Sequence, residues 1–523
     1  MTGYGRLIRL ILRRDRVIMP LWILGLGILP YVYVASFKTL FATDQERVDY
    51  ARLSAENAGF VGLYGPLHGT SLGELTVWRG GFVPVMIGLV ALLTVIRHTR
   101  ADEEAGRTEL IRATVVGRYA PLAAAVLATA GACLIMGLLV TATMIGAGLP
   151  AGGSVALGAV FTLSGWTFAG VGAVAAQLSG GARGARTIAV MTLGLAYVLR
   201  LGGDISALGD GRLGWLSWLS PVGWAHRVFP YGTNAWWPAL LAILFSVGAG
   251  AVSAYLLTRR DFGGGLLAAR LGPATAAAGL RSPIALAWRL HRGPLFGWTA
   301  GFAALGLIFG AVGSTVTRIA EDAGGIDEIF TKIGGAGAVS DAYFATTAAI
   351  CGMVAACYAV QAALRMRDEE QSGHAEAVLS TSVSRYAWAG SHLVFALLGP
   401  GAALVAEGLL AGLVHGDVGP VLGASVAQLP AVWVLAGVTV LLIGVLPRLA
   451  AVAWGAVAAC LLVLLVGPLL GVSQWVLDLS PFTHVPHLPG SDVSVVPLVV
   501  LTGVAVLLGV TGLAALRRRD LPA

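Results

Sequence analysis

Lysine is almost absent from this 523-residue chain: Lys38 and Lys332 are the only two. A phosphate-binding loop of the Gly-x-x-x-x-Gly-Lys-Ser/Thr type needs a lysine that reaches the nucleotide phosphates, and neither lysine stands in such a context. The chain therefore cannot bind ATP by that route, and any ATP-driven activity requires a nucleotide site on another polypeptide. Cysteine is also scarce. Cys133, Cys351, Cys357 and Cys460 all lie in apolar runs, where a reduced, small apolar role is expected, and no Cys pair or Cys/His spacing suggests zinc or a disulfide. The nine histidines are scattered without a metal-binding or nucleophile-base pattern. No convergent set of acids, histidines or metal ligands marks a membrane-embedded enzyme. Charged residues make up only 12% against 57% hydrophobic, with a mean hydropathy of +0.81. So few polar groups cannot cover a water-soluble particle of this size.

What is present is a series of apolar runs roughly 20 residues long, the length a helix needs to cross about 30 Å of hydrocarbon. Helical spans are favoured over the short alternating strands of a barrel, and the 72 glycines suit close helix approach in a membrane. The fold class expected is an all-α integral membrane protein with about twelve transmembrane helices. The runs lie near 17–36, 80–97, 120–146, 153–178, 187–203 and 236–258, then near 294–316, 342–364, 387–414, 420–446, 449–471 and 495–516. An even number puts both termini on one side. With cytoplasmic termini, the inner segments hold about 25 of the 34 Lys+Arg, as the positive-inside rule requires. The net charge of +7 is then a topology signal; no nucleic-acid partner is implied. The expected location is the cell membrane, multi-pass, with the lipid bilayer as partner. No cleavable signal peptide is expected, because the first run is long enough to span and follows a basic amphipathic segment. There Arg6, Arg9, Arg13 and Arg16 share one helical face and Leu7, Ile8, Ile11 and Leu12 fall largely opposite, suiting a helix in the inner interface. Trp288 to Arg292 is a shorter echo of it.

The chain is internally duplicated. Residues 100–119 align without a gap on 367–386: Arg100/Arg367, Glu103/Glu370, Gly106/Gly373, Glu109/Glu376, Thr114/Thr381, Val116/Val383, Arg118/Arg385 and Tyr119/Tyr386 coincide. Arg259-Arg260-Asp261 closes the sixth run as Arg518-Arg519-Asp520 closes the twelfth, and Leu219-Ser220-Pro221 precedes one as Leu479-Ser480-Pro481 precedes the other. The expected plan is two parallel six-span repeats, related by an axis roughly along the membrane normal. A first half with its interfacial helix covers 1–261, a cytoplasmic linker and interfacial helix 262–292, and a second half 293–523.

The matched segments lie between the second and third span of each half. Gly106 and Gly373 permit a sharp turn before a short helix, expected over about 107–116, with Leu110, Ile111, Thr114 and Val115 on one face. A charged turn that only fixes topology needs the arginines but not the matched acids. Elsewhere, Glu407 sits inside the ninth run, opposite Val140 of the first half. An ionisable group at that depth is expensive. It is either a cation or proton contact in a substrate pathway or a protonated helix-to-helix hydrogen bond. Trp215, Trp218, Trp224, Trp236 and Trp237 crowd the outer segment of the first half, marking the membrane interface or an exit vestibule for apolar substrate.

The pattern of acids, Gly, Glu, an apolar patch and Arg-Tyr, at Glu103 to Tyr119 and again at Glu370 to Tyr386, resembles the coupling-helix region of ABC exporter permeases. With the paired six-span halves, the large outer loop at 37–79 and the Leu-Ser-Pro pair, the chain resembles more specifically the tetronasin-type polyketide-antibiotic exporter permeases of actinobacteria. The resemblance implies a fused permease without catalytic residues or a cofactor of its own. Each coupling helix would dock on one subunit of a separate ABC-type ATPase dimer, which holds ATP and Mg, and hydrophobic compounds such as antibiotics would be exported. It implies that Glu103, Gly106, Glu109, Arg118 and Tyr119, and Glu370, Gly373, Glu376, Arg385 and Tyr386, carry contact and positioning. The second copy departs at Gln371 and at Ala377-Val378, so the two docking sites are expected to be unequal. The rival class is a proton-coupled twelve-span drug efflux carrier, whose Gly…Asp-Arg…Gly-Arg-Arg motif after the second span is missing here.

Overall fold

In the computed structural model the described residues are 3–41, 43–55, 58–208, 211–267, 274–277, 279–322, 335–466, 473–490 and 494–520, and every regular element among them is a helix. They form two compact units, Met1–Gly272 and Pro273–Ala523.

The first unit opens with α1 (Tyr4–Arg14), whose Leu7 and Ile11 are buried in the apolar core while Arg6, Arg9 and Arg13 stay in the open. Its end is fixed by a buried carboxylate: Asp15 meets His98 Nε2 at 2.6 Å and Arg97 Nη2 at 3.0 Å. The first apolar run is two helices, α2 (Ile18–Gly27) and α3 (Leu29–Leu40), with Pro30 at the start of α3, where its missing N–H costs least. The segment expected as a polar loop is mostly helical: α4 (Asp44–Ala55), α5 (Ala58–Tyr64) and α6 (Leu72–Arg79). Ser71 and Glu74 form a capping box at the start of α6, satisfying donors that the first turn leaves orphaned. The helices α7 (Val83–His98), α8 (Arg100–Glu104), α9 (Arg107–Arg112), α10 (Ala120–Gly146), α11 (Ala151–Leu178), α12 (Ala182–Leu208), α13 (Pro221–His226) and α14 (Trp237–Arg259) follow.

The second unit begins with α15 (Pro283–Asp322), a continuous helix in which the expected interfacial segment and seventh span merge, with Pro294 inside. It continues through α16 (Gly335–Gln371), α17 (His374–Leu379), α18 (Arg385–His415), α19 (Val418–Val426), α20 (Leu429–Val445), α21 (Ala453–Val466), α22 (Gln474–Leu477) and α23 (Val495–Arg518). Eleven helical stretches among the described residues are long and apolar enough to cross a membrane. The run expected at 449–471 differs. It starts as a 3-10 turn, Pro447–Val452, and α21 has 14 residues, a length of about 21 Å. Residues 467–472 of that run lie outside the described residues.

Glycine sets the closest helix approaches. In the first unit α10 and α11 meet backbone to backbone at Gly137 and Gly158, where a Cβ on either would strike the other's carbonyl. In the second unit a Cβ on Gly444 of α20 would strike the carbonyl of Gly512 of α23, and one on Gly512 would strike the carbonyl of Val440. Without a hydrophobic drive between helices in lipid, such close packing is a main source of association. Gly137→Val should therefore lower the folded, monodisperse yield and the thermal midpoint in detergent. Gly131→Val, on the same helix but at a position where an added Cβ meets no atom within 4 Å, should leave both near wild type. Size-exclusion chromatography with a thermal ramp measures the contrast; equal losses would remove the packing argument.

Candidate coupling site

In each unit a buried carboxylate binds the polar loop to the end of the last helix. In the first, Glu103 in α8 accepts two parallel hydrogen bonds from Arg260, Nη1 to Oε1 and Nη2 to Oε2, both 2.7 Å. The backbone N–H of Gly263 adds a third at 2.8 Å, and Arg100 Nη1 lies 3.1 Å from Oε2. Arg100 is itself buried and donates to the carbonyls of Gly180, Gly263 and Gly264. In the second unit Glu370 repeats the device. Arg519 Nη2 reaches its carboxylate oxygens at 2.5 and 2.7 Å, and Arg367 Nη1 reaches Oε2 at 3.0 Å.

Arg118 and Arg385 grip the same helix ends. Arg118 Nη2 donates to Leu257 O of α14 at 2.9 Å, and Arg385 Nη1 donates to Arg517 O at 3.0 Å and Arg519 O at 2.5 Å, at the end of α23. A guanidinium there satisfies orphan carbonyls and opposes the negative end of the helix dipole. Thus Glu103 and Arg118, and likewise Glu370 and Arg385, hold the loop from both sides against one helix terminus.

Gly106 and Gly373 have φ +72° and +74°, the left-handed conformation expected of the turn. The short helix after Gly106 stops at Arg112, earlier than expected. Thr114 turns its hydroxyl onto Ile111 O at 2.6 Å, and the β-branched Thr114-Val115-Val116 run is a poor helix continuation. The expected single apolar face is consequently divided. Ile111 and Val116 pack on the core, whereas Leu110 and Val115 stand out, 76% and 91% exposed. In the second loop Val378, Leu379 and Val383 pack inward, and the matched outward positions carry Ala377 and Ser382. The side chains of Glu109 and Glu376 are both exposed and make no hydrogen bond or ion pair among the described residues. Tyr119 and Tyr386 are also exposed, the latter beneath the guanidinium of Arg517 at 5.7 Å. The loops differ again at Glu104, whose Oε2 accepts from Ala182 N at 2.9 Å at the start of α12; Gln371 in its place ends α16, exposed.

Further charged groups complete the first unit. Asp102 joins the loop to α1 through Arg14 at 2.7 Å and to Arg107 at 2.9 Å. At the opposite end of α12, Arg200 is fully buried and donates to Val61 O at 3.3 Å and Gly62 O at 2.6 Å, at the end of α5. Arg200 is a buried tether between α12 and α5 that the hydropathy pattern hides inside an apolar run, although an arginine at that depth is itself a signal. Arg260 and Arg519 show in the sequence only as marks of duplication. In the second unit Glu407 is buried, and its Oε2 accepts from Ser425 Oγ at 2.7 Å, joining α18 to α19. All four cysteines are free, and no group of His, Cys, Asp or Glu among the described residues could hold a metal.

Removing one partner of a buried ion pair leaves the other uncompensated, at a cost of about 3 kcal/mol or more. Glu103→Gln should therefore lower the stability of the chain by that order, and Arg260→Gln added to it should cost little further. Denaturant unfolding in detergent of the two single variants and the double measures this coupling; additive losses would mean that the two groups act independently.

The sequence matches a known family and a known protein. A family model described as the C-terminal domain of the multidrug efflux system permease Rv1217c matches residues 280–517. The multidrug efflux system permease protein Rv1217c of Mycobacterium tuberculosis is 42% identical over 528 residues, covering 99% of this chain and 95% of its own length. With its many apolar helices and 42% identity to that protein over nearly its whole length, this multi-pass membrane protein belongs to the multidrug efflux permease family of Rv1217c.

Proposed function

We propose that the chain is the transmembrane subunit of an ATP-driven exporter, fused from two parallel six-helix repeats with cytoplasmic ends, and that each polar loop docks on one subunit of a separate ABC-type ATPase dimer. One observation carries this reading: the same carboxylate and arginine clamp recurs in both units, at Glu103 with Arg260 and at Glu370 with Arg519. It fixes each loop to the last helix of its unit while Glu109 and Glu376 face outward. A force applied to the outward face passes through the buried pair to a membrane-crossing helix. Glu103, Arg118, Glu370 and Arg385 act in positioning, Gly106 and Gly373 in turning the chain, and Glu109, Tyr119, Glu376 and Tyr386 in contact. The partner supplies the site for ATP and Mg. The first docking face, with Leu110 and Val115, is the more apolar of the two, so the partner subunits meet unequal surfaces.

The relative's description as a multidrug efflux permease and the apolar helices support hydrophobic compounds, antibiotics among them, as the cargo. The tetronasin-type assignment is the finer part of this proposal and rests on the sequence resemblance. Glu407 favours a second reading, a proton-coupled carrier, because a buried carboxylate held by the Ser425 hydroxyl and the Cys351 thiol, with no cation paired to it among the described residues, is a group that can exchange a proton in a pathway.

In vesicles holding the chain with its ATPase, Glu109→Ala together with Glu376→Ala should abolish substrate-stimulated ATP turnover and efflux while insertion stays normal. Efflux by the unsubstituted complex should stop with vanadate and persist with a protonophore. Unchanged efflux in the double variant would remove the coupling role, and loss with the protonophore alone would make the chain a proton-driven carrier.

A further inference from the structure

A two-lobed cavity lies in the first unit, at the end of α7 and α12 remote from the polar loop. One lobe, of about 310 Å³, is walled by Leu157, Phe161 and Trp78. The other, of about 710 Å³, is walled by Trp218, Trp237 and Arg227. Pro66, Leu67, His68, His226, Phe229 and Thr233 line both, so the lobes are neighbours. Most of the wall is apolar or aromatic, as in small-molecule sites, with a few polar groups placed to orient a ligand.

The charges in the larger lobe decide what enters. Asp204 is buried and accepts from Ser217 Oγ at 2.7 Å. Two guanidiniums flank it: Arg200 Nη1 at 3.6 Å from Oδ2 and Arg227 Nη2 at 3.8 Å from Oδ1. Both distances exceed a hydrogen bond. Arg200 is committed to the carbonyls of α5. Arg227 is committed to little. It lies over the Trp218 ring at 4.5 Å and makes one long contact to Gly223 O at 3.5 Å, so its fork of donors is available at the wall. His68 and His226 add no positive charge. Burial, then the neighbouring guanidinium, lowers the pKa of each, that of His226 to about 3. In the smaller lobe Glu74 is held in its capping box, accepting from Ser71 Oγ at 2.6 Å.

A cation placed beside Asp204 would meet one carboxylate and two guanidiniums and be repelled on balance. An anion beside Arg227 meets the opposite balance. We propose that this cavity binds an apolar, aromatic-sized compound bearing one acidic group, with the acid on Arg227 beside Trp218 and the apolar body directed past Phe229 toward Leu157 and Phe161. A guanidinium that offers several donors suits a carboxylate or sulfonate, and the facing ring shields the pair from water. The acid selects the ligand by charge, and the two apolar lobes tolerate different bodies. The binding is independent of how transport is powered, so a failure of ATP coupling would leave it standing.

The test uses the full chain in nanodiscs of zwitterionic lipid, titrated by calorimetry against empty-nanodisc blanks with naphthalene-2-sulfonate, naphthalene-2-sulfonamide and naphthylmethylammonium. The sulfonate should bind most tightly. Arg227→Gln should weaken it by about ten-fold, the worth of one charge-assisted hydrogen bond, Arg227→Lys, which keeps the charge but not the fork, should fall between wild type and that variant, and the sulfonamide should be unaffected by either. Thr233→Trp, at an exposed position on the rim, should abolish binding of all probes without loss of thermal stability. Tighter binding of the ammonium, sulfonate affinity unchanged in Arg227→Gln, or binding unchanged in Thr233→Trp would each overturn the proposal.

Discussion

Each unit of the structure depends on a carboxylate buried at one end of its helices with guanidiniums closed around it. Glu103 and Glu370 each take a bidentate or forked contact from an arginine just beyond the last helix of their unit. Ionised groups taken out of water repay their desolvation only when geometry and hydrogen bonding are nearly complete. Here the first site is completed by Gly263 N–H and Arg100, and the second by Arg367. These contacts make the loop part of the bundle, with only the Nε groups of Arg100, Arg367 and Arg519 at these two sites left buried without a hydrogen-bond partner. A surface turn, tethered only by its chain, could not pass a displacement to α14 or α23.

The same solution, an arginine on the carbonyls of a helix end, recurs among the described residues, as with Arg118 on α14, Arg385 on α23 and Arg200 on α5. In each case a long, always-charged side chain satisfies acceptors that the helix geometry leaves unpaired. At the loop end it fastens the loop to the last helix of its unit, and at the other end it leaves Arg227 as the less committed cation of a mostly apolar cavity. The near absence of lysine fits these roles, since a point-charge ammonium cannot make two directed contacts in one plane.

Much of this is legible in the sequence, and the limits have physical causes. The apolar runs appear as helices because their length and hydropathy are local properties, and Gly106 and Gly373 take the left-handed turn because few other residues can. The duplicated loops point to the residues that matter, Glu103, Glu109, Arg118 and their partners, without separating the buried from the exposed. Glu103 and Glu109 look alike in the sequence. Only the distant Arg260, brought alongside by α14, turns one into an internal strut and leaves the other outward. The apolar patch at 110–116 is legible as a patch, but its division between core and surface follows from the early stop of α9. The segment after α3 reads as a loop because its helices are short and the first of them, α4, is polar, and they are held by a capping box and by Arg200. Arg200 and Asp204, four residues apart on α12, carry a signal in their charge alone; their partners on α5 and near Ser217 are set by tertiary packing.

If the buried pair transmits force, the polar loop and the end of α14 move as one body when the partner ATPase cycles. The most direct measurement is the distance between spin labels at Ala113→Cys and Thr258→Cys, both at exposed positions, in a cysteine-depleted chain assembled with its ATPase. It would be recorded without nucleotide and again after trapping with ATP and vanadate. The expected result is one narrow distance distribution, unchanged between the two states and broadened when Glu103→Gln breaks the buried pair. A distribution that shifts on trapping in the intact chain would contradict it, because the loop would then move without the helix it is held to.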